Sequence, residues 1–199
     1  MMRAEKVGAL RLERREAYPI GTMNNPKGVM VMPKVAVVLG SKSDLAALEP
    51  LFTTLAEMGI DADAFVCSAH RTPERAAQIA GAAREQGYEA IIAAAGMAAH
   101  LPGVLAAYTT LPVIGIPMAA KVLDGMDALL AIVQMPPGVP VATVGVGAAQ
   151  NAALLAAQIL GVKYPGVADK LAARKAKMAR GVMEANDEVQ PLVAEWMKK

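Results

Sequence analysis

Aromatic residues are scarce in this chain: two Phe, one Trp and four Tyr make up 4% of it, too few rings to sandwich a flavin. A single cysteine, Cys67, excludes an intrachain disulfide framework and any multi-cysteine metal site, and fits a reducing, cytoplasmic setting. Histidine is nearly as rare, with two residues, and these with the scattered carboxylates have no metal-ligand spacing, so no metal site is expected. Charge of one sign is lacking too: 20 basic residues stand against 18 acidic ones, for a net charge of +2. That balance gives no reason to expect nucleic acid or an anionic membrane as partner. Uninterrupted apolar runs are also missing. The stretch from Ala90 to Ala120 is broken by His100, Pro102, the Thr109-Thr110 pair, Pro112 and Pro117, and reads as strand, helix and strand rather than a membrane span.

What is present is a chain of 199 residues, 55% hydrophobic and 19% charged, enough for one folded domain with a sizeable core. Residues 1–32 have neither a continuous apolar segment nor a signal-type cleavage site, and Glu5, Glu13 and Glu16 argue against a transit peptide; they read as a poorly ordered N-terminal extension. From Lys34 the pattern is regular. "KVAVVL" is a β-branched strand ending in the turn "GSKSD", and a helix is expected from about Asp44 to Gly59. "DADAFV" alternates as a strand, and Thr72 as N-cap with Pro73 at the first helical position opens the next helix. Strands "EAIIAAA", "LPVIGI" and "PVATVGV" then alternate with helices, among them "DGMDALLAIVQM" and "AAQNAALLAAQIL". Short apolar strands returned by helices imply a parallel sheet covered on both faces. Residues 33–163 are therefore expected to form a three-layer α/β/α sandwich with a flavodoxin-like parallel sheet. Residues 164–199 read as a C-terminal helical arm whose narrow stripe of Val167, Leu171, Met178 and Val182 either packs on another subunit or lies over its own domain.

Ligands of open α/β sheets bind at the carboxyl ends of the strands near the switch in strand order. That rule selects Ser41, Ser43 and Asp44 after the first strand, Ser68, His70 and Arg71 after the second, and the Gly96–Gly103 segment, with Gly96, Ala98, His100 and Leu101, after the third. "GSKSD" sets two hydroxyls and several N–H groups at a helix start, where an anion is favoured. Asp44 there either accepts from sugar hydroxyls or caps the helix. Arg71 either grips phosphate or carboxylate by paired hydrogen bonds or forms a surface ion pair. His70 can exchange a proton at neutral pH or serve a structural role; His100 reads as a supporting or helix-start residue. Cys67, at the end of an apolar strand with no paired histidine, reads as a small buried hydrophobe.

"GSKSD", "SAHRTPER", "AAHLPG", "IVQMP" and "NAALLAAQIL", in this order from about Val35 to Tyr164, resemble the PurE family of purine biosynthesis, the N5-carboxyaminoimidazole ribonucleotide mutases. The resemblance implies an isomerase, working without metal or ATP, that moves a carboxyl group from the exocyclic nitrogen to C4 of an aminoimidazole ribonucleotide on the route to IMP. It places the catalytic histidine on His70 and substrate-binding positions on Ser41, Asp44 and Arg71, with the Gly96–Leu101 segment and the Gln134–Pro136 loop closing over the base. It also implies a homo-octamer with active sites at subunit contacts.

This chain departs from the family pattern where members read A-G-A-G-G-A-A-H-L: Ala94 and Met97 stand at two of the glycines, and either side chain crowds the loop if its backbone needs positive φ or close ligand approach. The nearest alternative activity is direct carboxylation of aminoimidazole ribonucleotide by carbon dioxide, used by a related branch. A flavodoxin-like nucleotide-binding or signalling module is more remote, because a receiver needs an acidic residue at the end of the third strand, where Ala94, Ala95 and Gly96 stand.

Overall fold

The computed structural model describes residues 32–120 and 123–198. The expectation of an N-terminal extension lies, Met32 apart, outside the described residues. The elements run β1 (Lys34–Leu39), α1 (Glu49–Met58), β2 (Asp61–Val66), α2 (Pro73–Ala82), β3 (Ala90–Gly96), α3 (Leu101–Ala107), β4 (Val113–Met118), α4 (Met126–Val133), β5 (Ala142–Thr143), α5 (Ala149–Gly161) and α6 (Pro165–Trp196). Every strand pairs in parallel, in the order β2-β1-β3-β4-β5, the flavodoxin-like order with its switch point between β1 and β3.

Successive side chains of a strand point to opposite faces, and here both faces are covered. Val35, Val37 and Leu39 of β1 pack with Ile92, Ile114 and Ile116 under α1, α5 and the start of α6. Ala36 and Val38 pack with Ile91 and Ala93 under α2, α3 and α4. Double coverage explains why these strands are apolar without interruption. At about 1.5–3 kcal/mol for each large aliphatic side chain buried, the two layers supply the main driving force for folding. β2 is the edge, so it alternates. Its outward Asp63 accepts from the Tyr88 hydroxyl and pairs with Lys34 Nζ at 2.7 Å. Burial beside that carboxylate pushes the Tyr88 phenol up to about 12.

Three boundaries differ from the sequence expectation, each for a local reason. The first helix does not run from Asp44: two 3-10 turns, Lys42–Asp44 and Ala46–Leu48, precede α1. Pro50 in the first turn of α1 cannot donate to a preceding carbonyl, so the α-helical ladder starts afresh there. The last strand is only Ala142–Thr143, because Pro117 of β4 has no N–H on the side facing it. The chain continues alongside through single bonds from Val144 N to Gly115 O and from Gly147 N to Pro117 O. The helix expected from Asp124 begins at Met126, since Asp124 (φ 49°) and Gly125 (φ 86°) turn left-handed before it. Gly59 closes α1 at φ 74° and Pro73 opens α2, both as expected.

The stripe on the last helix divides in two. Val167 is buried and Leu171 packs against the chain's own core, while Arg174 Nη1 pairs with Glu57 of α1 at 2.9 Å. These residues lie over their own domain, because Ala-rich α5 leaves a shallow groove beside α1. Met178 and Val182 are exposed.

Candidate active site

Three loops leave the carboxyl ends of β2, β1 and β3, and all the expected site residues are on them. After β1, Gly40 N donates to Ala94 O at 2.9 Å, drawing the loop toward β3. Ser41 Oγ and Ser43 Oγ lie 2.8 Å apart, and Ser41 Oγ also accepts from Ser43 N at 3.3 Å. Asp44 is half-buried behind them and accepts from Ser43 Oγ at 3.5 Å. Burial pushes its carboxyl above the ordinary range, against hydrogen bonds from Ser43 and from the Ser41 main chain that pull it down. A partly desolvated carboxylate of this kind gains by accepting from ligand hydroxyls.

After β2, Cys67 is buried, as expected, with its Sγ near the Thr72 hydroxyl at 3.6 Å. Thr72 occupies the N-cap position of α2, but its side chain does not cap the helix. Its hydroxyl turns back, donating to Ser68 O at 2.9 Å and accepting from Ser68 N at 3.2 Å. This double bond closes a tight loop, Ser68–Thr72, that bends His70 and Arg71 to the same end of the sheet. The sequence signal for an N-cap threonine was correct in position and silent on the direction of its hydroxyl. Ser68 Oγ accepts from both the main-chain N and Nε of Arg71, each at 3.3 Å. Among the described residues no carboxylate forms an ion pair with Arg71, and the guanidinium's two terminal nitrogens are left without one.

After β3, the strand ends at Gly96, where a Cβ would stand 3.2 Å from Met118 O. Met97 follows with φ 56°, left-handed and exposed, whereas Ala94 sits in regular, fully buried strand. Of the two departures from glycine, only Met97 meets a backbone that favours glycine. Ala98 is exposed and its carbonyl accepts from His100 N at 2.8 Å. Leu101 points into the core under α2 and α3, so only its main chain is left to meet a ligand. The Gln134–Pro136 loop reaches the same region: Met135 Cε lies 2.9 Å from the position a Cβ on Gly103 would take.

His70 and His100 meet across the loops. His70 Nε2 and His100 Nδ1 are 2.8 Å apart, with the rings edge to face at 78°. His100 is thus a direct partner of His70, more than a helix-start residue. Rules that pick loops one at a time do not show which side chains from neighbouring loops will touch. Among the described residues no three His, Cys, Asp or Glu side chains gather as a metal-ligand group. A cavity of about 510 Å3 lined by Arg84, Glu85, Tyr108 and Thr110 lies at the carboxyl ends of α2 and α3, apart from these loops.

Fold and loops together define a flavodoxin-like α/β sandwich that carries hydroxyls, a carboxylate, an arginine and a histidine pair at its switch point. The chain belongs to the AIR carboxylase family, whose model matches residues 34–181. It is 54% identical over 149 residues to an N5-carboxyaminoimidazole ribonucleotide mutase of Pyrococcus abyssi, covering 75% of this chain and 86% of that protein. A mutase of the same name from Saccharolobus solfataricus is 58% identical over 140 residues, covering 70% and 89%. Among solved structures, Treponema denticola PurE superposes with a TM-score of 0.72 at 25% identity, over 79% of this chain and 99% of that one.

Proposed function

We propose that the protein is an N5-carboxyaminoimidazole ribonucleotide mutase, an isomerase of purine biosynthesis that converts the N-carboxylated ribonucleotide to 4-carboxyaminoimidazole ribonucleotide. The observation that carries this reading is the name shared by relatives 52–58% identical from P. abyssi, S. solfataricus and Thermotoga maritima, joined to a histidine pair at the switch point. The reaction is redox-neutral. Breaking the N–CO2 bond requires a proton on the departing nitrogen, and forming the C4–CO2 bond requires loss of the C4 proton. One imidazole, His70, gives the first and takes the second. The bond to His100 Nδ1 fixes the orientation of the His70 ring between the two steps. Arg71, oriented by Ser68, holds the phosphate. Ser41 and Ser43 donate to phosphate oxygens and Asp44 accepts from the ribose hydroxyls, while Gly96, Ala98, His100 and the Leu101 main chain line the base.

The same reading makes the protein a homo-octamer. The crevice residues His70, Arg71, Met97 and His100 are open in the single chain. Exposed Met126, Leu130 and Val133 form an apolar stripe along α4, and unpartnered stripes of this kind mark subunit contacts. Residues 33–163 are the catalytic domain, and within 164–199 the helix beyond Arg174 is an arm for oligomer packing. A cytoplasmic setting is supported by the lone, buried cysteine and by the lack, among the described residues, of a helix long and apolar enough to cross a membrane.

Steady-state rates and titration calorimetry test the site. His70→Asn should lower kcat by about a hundredfold or more while nucleotide still binds. Arg71→Ala should weaken nucleotide binding by about 1.5–3 kcal/mol. Normal turnover by the first variant, or parental affinity in the second, overturns these roles. Fast conversion of the N-carboxylated nucleotide with little uptake of labelled bicarbonate supports the mutase; efficient use of aminoimidazole ribonucleotide at low bicarbonate would assign the carboxylase instead.

A further inference from the structure

From Lys175 to Lys198 every residue of the last helix and its terminal turn is exposed. At 1.5 Å per residue this is a rod of roughly 36 Å standing off the body of the chain. Three of its features are poorly suited to standing alone. Met178, Val182, Val189, Leu192 and Trp196, all at least half exposed, recur at spacings of 4, 7, 3 and 4 and, with Ala185 between, form one heptad-like seam. Pro191 lies inside the helix, where it removes a main-chain hydrogen bond. The charges also run against the helix dipole: Lys175, Lys177 and Arg180 come first, and Glu184, Asp187, Glu188 and Glu195 follow, with Glu184 and Glu188 repelling at i,i+4. Residues 182–198 also lie beyond the family match, which ends at 181, so the seam is largely this chain's own.

We infer that the free part of α6 pairs antiparallel with α6 of a second copy of this chain. Charge order selects both the partner and its direction. Antiparallel pairing sets the basic segment of each helix beside the acidic segment of the other, whereas parallel pairing sets like beside like. The two-fold axis falls near Gly181–Ala185, where Ala179, Gly181 and Ala185 let the backbones approach. About that axis Met178 faces Val189 and Val182 faces Ala185 of the other copy, so the middle of the seam covers itself, Leu192 and Trp196 reach toward the other copy's body, and the two helix dipoles oppose. The body's own contacts through Val167, Leu171 and Arg174 stay in place, so the pairing joins whole subunits.

This inference refines the oligomer reading above, and its test separates the two. Trp196 is the chain's only tryptophan, so its emission reports whether the end of the helix meets the other copy's body. In the full chain, the triple variant K175E/K177E/R180E should yield smaller species in sedimentation and a red-shifted emission, and E184K/D187K/E188K should do the same. The six-fold variant should restore both the mass and the emission. Unchanged emission in either triple variant, or no restoration in the combination, overturns the pairing even if an octamer persists. Because Cys67 is buried, single introduced thiols give an independent reading that leaves the charges untouched. Ala185→Cys should oxidise to a covalent dimer at least tenfold faster than Met197→Cys. Equal rates would mean parallel helices, and no dimer from Ala185→Cys would mean some other occupant of the seam; either result rejects the proposal.

Discussion

Met97 stands where family members carry glycine, and its φ of 56° shows why glycine suits the position. A left-handed backbone costs a residue with a Cβ about 1–2 kcal/mol, of which glycine's greater freedom in the unfolded chain cancels part. Met97→Gly should therefore raise the unfolding free energy by about 0.5–1 kcal/mol in urea titrations; a loss of stability would show that the side chain has contacts outweighing the strain. Asp44 presents the opposite trade. Its carboxyl is raised by burial, so the folded state holds the proton more tightly than the unfolded chain. Stability from this group is present below the ordinary carboxylate range and declines as pH rises through the raised value. Asp44→Asn should lift Tm by about 1–3 °C at pH 7 and make little difference near pH 3, while weakening nucleotide affinity. Melting curves at both pH values, with a binding isotherm at pH 7, check the pair of effects. Ser41, Ser43, Asp44, His70 and Arg71 could be selected from the sequence because strand ends can be located by hydrophobic runs and glycine turns. The His70–His100 contact could not, since it depends on how two helices on one face of the sheet bring their amino ends together.

Among the elements, β4 is the most tightly enclosed. A Cβ on Gly115 would collide with Ile132 Cγ2 and stand 3.1 Å from Val141 Cγ1 and 3.3 Å from Pro102 Cβ, so α3, α4 and the approach to β5 all close on this one residue. Gly115→Ala should cost about 1–3 kcal/mol by overpacking, visible as a lower urea midpoint, and should lower kcat as well, because Pro102 lies in the first turn of the helix that His100 precedes. An unchanged midpoint would mean that α4 is free to move away. Apolar periodicity made β1, β3, β4 and α5 readable, since each is buried on the faces its pattern indicates. The ends of α1 and β5 were not, because Pro50 and Pro117 act on hydrogen bonds to neighbouring segments that no pattern within one element records. The arm's stripe left two readings open for a related reason: Val167 and Leu171 have the same spacing whether the surface beneath them belongs to their own subunit or to another.

For the molecule as a whole, the open crevice and the apolar stripe on α4 belong to one design if subunit contacts complete the site. Leu130→Lys combined with Val133→Lys should then reduce the mass seen by light scattering and reduce turnover in parallel, with circular dichroism unchanged. Retained turnover in a dissociated species would show that one chain suffices. The position of α6 after the sandwich in chain order has a further effect during synthesis. N-terminal parts of a polypeptide fold first as they emerge, and β1 to α5 need only one another to close the sandwich. The apolar seam of α6 leaves the ribosome after them, with the sandwich already behind it. If the seam pairs with a second copy, a nascent subunit offers that surface only once its sheet is complete, which orders folding before assembly.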